Sequence, residues 1–161
     1  VADLLADEWS TTERPLLSVR VDGERVARAL CDAMLVTSEA ARISEYAVRT
    51  DHGEVDRFRA DAVVVATPTG STGYAHDAGG PAVEPETDVL SVVPVAPFAI
   101  HVGNRVLSGP VTLSVERDEG DVSLYADDRE VAAVPPRTPV DLAYDGAVDL
   151  VTVEASRSFF E

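Results

Sequence analysis

The chain has 161 residues, with 29 acids against 13 bases and a formal net charge of -16. With 45% hydrophobic and 26% charged residues, it has the balance of one globular domain able to bury a core, which excludes wholesale disorder. The acidic surface excludes nucleic acid and anionic membranes as partners, no apolar run is long enough for a membrane-spanning helix, and a single cysteine, Cys31, excludes an internal disulfide framework or a cysteine-rich zinc site.

In chain order, Ala2 to Trp9 reads as a short acidic helix. Val1 to Glu8 lacks the basic start of a secretory signal, so a cytoplasmic location is expected. Val1 stands where methionine would begin a complete chain, which leaves a fragment or a processed product as the two readings. Leu16–Val21 and Glu24–Leu30 flank Asp22-Gly23, a strong two-residue hairpin signal. Ile43–Val48 and Glu54–Phe58 flank a turn at Asp51-His52-Gly53, and Ala62–Val65 has the unbroken apolar character of a strand buried on both faces. Further strands are expected at Val89–Val93, Val111–Val115, Val122–Tyr125, Val140–Ala143 and Val148–Val153, separated by Gly, Pro and Asp. Helix is scarce, with Ser71 to about Ala78 as the second candidate and Ser71 or Thr72 as its N-cap. The pattern predicts one mostly-β, sandwich-like domain with one or two short helices.

One stretch departs from the strand pattern. After Asp61 and the apolar run comes Thr67-Pro68-Thr69-Gly70-Ser71-Thr72-Gly73-Tyr74, followed by Ala78-Gly79-Gly80-Pro81. Glycines admit a ligand close to the backbone, hydroxyls hydrogen-bond it, a helix start offers free N–H groups, and Tyr74 offers a flat face for a ring. The absence of lysine rules out a Walker A loop, and the spacing is not that of a dinucleotide-binding glycine motif. Taken alone, a Gly/Ser/Thr stretch is more often an ordinary turn than a site. Cys31 reads as a small buried hydrophobe. His52 and His101 read as structural, His76 as either structural or ligand-facing, and Phe159-Phe160 as packing against the core or a neighbouring subunit.

As a whole, the stretch resembles the signature of the NAD kinase family, which has Asp-Gly before a strand, then Thr-Pro-Thr-Gly-Ser-Thr-Ala-Tyr, then Ser-Ala-Gly-Gly-Pro. Arg14-Pro15-Leu16-Leu17, Ala29-Leu30-Cys31-Asp32, Val93 to Pro97 and Tyr125 to Arg129 resemble further family segments, so the likeness spans nearly the whole chain. The resemblance implies that residues 1–161 are the β-rich, C-terminal domain of the NAD kinase fold. The complete enzyme would move the γ-phosphoryl of ATP, with Mg2+, to the 2′-hydroxyl of the NAD adenosine ribose, giving NADP. By the same resemblance Thr72, Gly73 and Tyr74 line the adenosine pocket, with Thr67 and Asp77 in the same nucleotide-binding set. Asp32 takes ribose hydroxyls. Arg59, Asp61 and Ala96 reach the nicotinamide end of NAD or NADP bound mainly to a neighbouring subunit, which implies a homo-oligomer. No catalytic or metal-ligating residue is assigned to this chain, because the family's Gly-Gly-Asp-Gly segment, with its activating aspartate, is absent from it. Four positions depart from the pattern: Cys31 for asparagine, Asp77 for serine, Ala62 for the glycine after Asp61, and Asp128 for the glycine after Asp127. A non-catalytic nucleotide-binding or oligomerisation module of the same family is the rival reading.

All 13 bases are arginine. Acid-rich, lysine-free composition resembles proteins of salt-in halophilic archaea, and an acidic mesophilic protein from a GC-rich genome is the alternative. Self-repulsion at a net charge of -16 destabilises the compact state in dilute buffer, and molar salt shortens the Debye length to about 3 Å. The melting temperature is therefore expected to rise from low salt into molar KCl. A flat or falling series of thermal melts would refute the halophilic reading.

Overall fold

A computed structural model describes residues 9–39, 42–118 and 120–160. The helix expected at Ala2–Trp9 lies outside them except for Trp9, which opens the first strand. The described residues form twelve strands: β1 (Trp9–Val21), β2 (Glu24–Ala29), β3 (Asp32–Thr37), β4 (Ser44–Thr50), β5 (Gly53–Ala60), β6 (Ala62–Ala66), β7 (Val89–Val95), β8 (Arg105–Ser108), β9 (Val111–Arg117), β10 (Val122–Ala126), β11 (Arg129–Ala133) and β12 (Val140–Val153). A 3-10 turn at Thr69–Thr72 and the short helix α1 (Tyr74–Asp77) follow β6.

The strands form two six-stranded sheets, ordered β2-β1-β12-β9-β4-β5 and β11-β10-β3-β6-β7-β8, with antiparallel neighbours throughout. Inward residues of both sheets share one core, among them Leu17, Tyr46, Val48, Leu113 and Leu142 from the first sheet and Leu35, Val63, Val65, Leu90 and Leu124 from the second. This is the expected mostly-β sandwich. The Tyr46 hydroxyl spans the two layers: it hydrogen-bonds the Thr37 hydroxyl at 3.3 Å and donates to the Asp61 carbonyl at 3.4 Å.

Local chemistry explains most elements. Asp22 and Gly23 both adopt left-handed backbone, with φ of 50° and 81°, the geometry that lets a two-residue loop match strand twist. β6 is buried along its whole length because it serves two cores. Val63 and Val65 face the first sheet, whereas Val64 and Ala66 pack with Val93 and with Ala75 of α1 on the outer face.

Three expectations are corrected. Val140–Ala143 and Val148–Val153 are one strand, β12, carried through Asp145-Gly146 by a shift of register opposite Pro15–Leu17, with Gly146 at φ 87°. β3, β8 and β11 had no counterpart among the expected strands. The helix expected from Ser71 is interrupted at Gly73, and the Ser71 hydroxyl donates to the Pro68 carbonyl at 2.7 Å instead of capping. Phe159 and Phe160 pack edge-on with centroids 5.0 Å apart and Phe160 is exposed, which fits the neighbouring-subunit alternative of the expectation for this pair and not the core one.

Because β6 is buried on both faces, Val63→Ala and Val64→Ala should each destabilise the chain by about 1–3 kcal/mol. Chemical denaturation of both variants tests this. A neutral outcome at either position would show a strand covered on one side only.

Candidate functional site

The site is built where the chain leaves the first sheet for the second. β2 ends at Ala29, β3 begins at Asp32, and Leu30-Cys31 makes the crossing without glycine or proline. Three successive N–H groups are thereby turned away from any strand partner. The Asp127 carboxylate accepts all three: Leu30 N–H at 3.1 Å, Cys31 N–H at 2.7 Å and Asp32 N–H at 3.3 Å. Successive backbone N–H groups converging on one anion form a nest. Asp127 sits in the two-residue hairpin between β10 and β11, at φ 53°, a conformation that Asp tolerates better than most residues.

Thr67 holds the other side of the crossing. Its hydroxyl points at the carbonyls of Leu30 and Cys31, at 2.6 and 3.1 Å, and accepts from Gly70 N–H at 3.2 Å. Its own N–H donates to the Cys31 carbonyl at 2.9 Å. Thr67 is fully buried, so it lies beneath the cleft and shapes it. Gly70 explains its own identity: a Cβ there would lie 2.1 Å from the Cys31 carbonyl oxygen. Gly80 is equally confined, since a Cβ would meet the Ala75 carbonyl oxygen at 2.6 Å and Val93 at 2.7 Å. His76 Nδ1 donates to the Gly80 carbonyl at 3.1 Å, giving the imidazole a structural bond within the loop.

Above this framework lies an open cleft of about 390 Å3. Cys31 and Asp32 form one wall, Thr69 to Gly70 and Thr72 to Tyr74 another, and Asp127-Asp128 the third. Asp32 is only 8% exposed, whereas Tyr74 is 49% exposed. The Thr69 hydroxyl is buried without a protein hydrogen-bond partner. Burial, then the charges of Asp127 and Asp128, push the Asp32 carboxyl up to about 6. Cys31, expected in the core, stands half-buried on the cleft wall, and burial, followed by Asp127 and Asp32, pushes its thiol up. Asp77 is exposed on α1 and does not line the cleft.

The remaining expected residues gather elsewhere. Asp61 precedes β6 and Thr67 follows it, about 20 Å apart at strand rise. Around Asp61, its N–H donates to the Val95 carbonyl at 3.1 Å, Phe98 N–H donates to the Arg59 carbonyl at 2.9 Å, and the Arg59 guanidinium lies 5.8 Å from the centre of the Phe98 ring. Ala96, at φ 47°, is exposed in the same region. The nine expected residues thus divide. Asp32, Thr72, Gly73 and Tyr74 line one cleft, with Thr67 below and Asp77 outside it, while Arg59, Asp61 and Ala96 gather at the far end of β6. Asp127, Asp128 and Thr69 were not among the expected site residues. The acidic hairpin following β10 was a visible signal, but its contact with Leu30–Asp32 was not.

Asp32 binds its proton more readily in the folded chain than in the unfolded one, so stability falls as pH rises from the ordinary Asp range near 4 through about 6. Asp32→Asn should therefore raise the stability of the ligand-free chain at pH 8 by on the order of 1 kcal/mol, and change it little below pH 4. Melts of both proteins across that range test it, and an equal effect at both ends would contradict a charged origin.

Residues 30–143 match the family of the ATP-NAD kinase C-terminal domain. The NAD kinase of Methanospirillum hungatei is 28% identical over 179 residues, an alignment covering 100% of this chain and 64% of that protein. The NAD kinase of Symbiobacterium thermophilum is 39% identical over 130 residues, covering 77% of this chain and 46% of that protein. The chain therefore spans about half to two-thirds of the length of these relatives. Among solved structures, an NAD kinase from Archaeoglobus fulgidus in complex with ATP superposes with a TM-score of 0.75 at 27% identity, covering 94% of this chain and 57% of that one. Yeast NADH kinase complexed with NADH shares the fold, with a TM-score of 0.80 at 18% identity, covering 90% of this chain and 44% of that one. The nest, the buried threonine and the confined glycines are the framework of a signature that also matches at family level, and the chain belongs to the ATP-NAD kinase family, as its C-terminal domain.

Proposed function

We propose that residues 1–161 form the NAD-binding domain of an ATP-dependent NAD kinase, and that the cleft between Asp32 and Tyr74 receives the adenosine end of NAD. The observation that carries this reading is the pairing of a carboxylate and a half-exposed aromatic ring across one cleft. Deprotonated Asp32 accepts two hydroxyl hydrogen bonds, which suits a ribose diol, and the Tyr74 ring offers adenine a flat apolar face. The bare backbone at Gly73 admits close approach of a ligand.

The diphosphate of NAD shares its sign with Asp77 and Asp128, so affinity is modest and firmer where salt screens them. Deprotonated Asp32 is the better acceptor, so binding should strengthen as pH rises through about 6. Arg59, Asp61 and Ala96 lie too far along β6 to join the adenosine contacts and are read as serving a neighbouring copy. The exposed Phe98 and Ile100 beside them support a homo-oligomer. In the complete enzyme ATP with Mg2+ supplies the phosphoryl group. This chain's part, on this reading, is to bind and orient NAD. Cys31, standing where the family has an amide, favours a non-catalytic nucleotide-binding or oligomerisation module as the second reading.

Calorimetry in molar salt should detect NAD or NADP binding, and Tyr74→Ala should weaken it by roughly 1–3 kcal/mol. This chain with ATP and Mg2+ should form no NADP, because it lacks the Gly-Gly-Asp-Gly segment whose aspartate must reach the 2′-hydroxyl. Adding that lobe should give activity. Absence of nucleotide binding would overturn the cleft assignment, and inactivity of the lobe-bearing protein would favour the non-catalytic reading.

A further inference from the structure

We propose that Asp127 is the positioning residue of the cleft, setting the place of Asp32 by holding the backbone from which Asp32 projects. The inference deepens the functional reading above and rests on it for the identity of the ligand. Both Asp127 carboxylate oxygens are engaged by the crossing loop, Oδ1 by Cys31 and Asp32 N–H and Oδ2 by Leu30 N–H. The Asp127 N–H in turn donates to the Asp32 carbonyl at 2.8 Å, so the two residues bind each other's backbone. With its oxygens turned to the loop, Asp127 acts through Asp32 and not on the ligand. Thr67 fastens the same loop by its carbonyls, leaving Asp127 as the fastener of its N–H groups.

The loop has no conformational reason of its own to hold this shape, since Leu30, Cys31 and Asp32 include neither glycine nor proline. Removing the carboxylate therefore frees three N–H groups and the wall they form. The groups facing Asp32 are Cys31 beside it, Asp127 and Asp128 from the hairpin, and Tyr74 across the cleft. Asp127 and Asp128 both oppose ionisation of Asp32, but within this cleft only Asp127 also holds the Leu30–Asp32 N–H groups. This difference separates positioning from simple charge.

The test compares Asp127→Asn, Asp127→Ala and Asp128→Asn in the full chain in molar salt. It uses amide hydrogen exchange at Leu30, Cys31 and Asp32, carbon-13 titration of the Asp32 carboxyl, and calorimetry with adenosine. Asp127→Ala should speed exchange at the loop and lower adenosine affinity about tenfold or more. Asp127→Asn tolerates the left-handed backbone and keeps one carbonyl acceptor. It should partly restore both, while Asp32 titrates closer to its ordinary value. Asp128→Asn should shift the Asp32 titration with loop exchange unchanged. If Asp127→Ala does not fold, the asparagine variant and the Asp128 control carry the test. Wild-type exchange at the loop in the Asp127 variants overturns the proposal, and a shifted Asp32 titration beside it shows Asp127 acting by charge alone. A wild type that binds no adenosine overturns the functional reading, and exchange and titration then still decide whether Asp127 positions Asp32.

Discussion

The structure depends on how three consecutive backbone N–H groups are satisfied where the chain passes from one sheet to the other. A buried amide without a partner is expensive, and strand pairing cannot serve residues that are changing sheets. Asp127 answers that demand with one carboxylate, and charge-assisted hydrogen bonds to it are stronger than neutral ones. The β10–β11 hairpin, the start of β3 and the loop after β6 are thereby fixed relative to one another. The cleft is the space left between them.

The same arrangement sets the electrostatics. Burial of Asp32, with the like charges of Asp127 and Asp128 beside it, leaves a carboxyl that ionises less readily than usual. A ligand that donates hydroxyl hydrogen bonds to Asp32 relieves this cost, whereas a phosphate at the same place would add to it. The acidic wall and the half-exposed ring of Tyr74 make up the surface proposed above to take the nucleoside end of a dinucleotide. At the other end of β6 the surface differs, with Arg59 over Phe98 and two exposed apolar side chains. One rigid strand, packed on both faces, holds these unlike surfaces at a fixed separation.

Much of the fold was readable from local pattern. Asp22-Gly23 announced its hairpin because two left-handed residues are needed there and these types adopt that backbone most easily. The apolar run at Ala62–Val65 announced a strand covered on both sides. β3 was hidden because the turn that begins it contains no turn residue. Its punctuation comes from Asp127, far along the chain. β8 and β11 were hidden because edge strands bury little and so show weak alternation. In the site, Tyr74 and Asp32 were recognisable by type, but Thr67 and Tyr74 read alike within one motif although one is sealed beneath the cleft and the other is open to solvent.

By itself the sequence determined the mostly-β class, several strand and turn positions, the acidic surface and the family signature, because periodicity, turn chemistry and charge are local properties of a chain. Tertiary structure alone decided which members of the signature line the cleft, which hold the backbone, and which belong to the opposite end of β6. It also decided that Asp127, an acid among 29 in the chain, anchors the loop bearing Asp32. The physical reason is that a hydrogen bond between residues 96 positions apart leaves no trace in either neighbourhood, and exists only once two sheets have packed and brought a hairpin against a crossing loop.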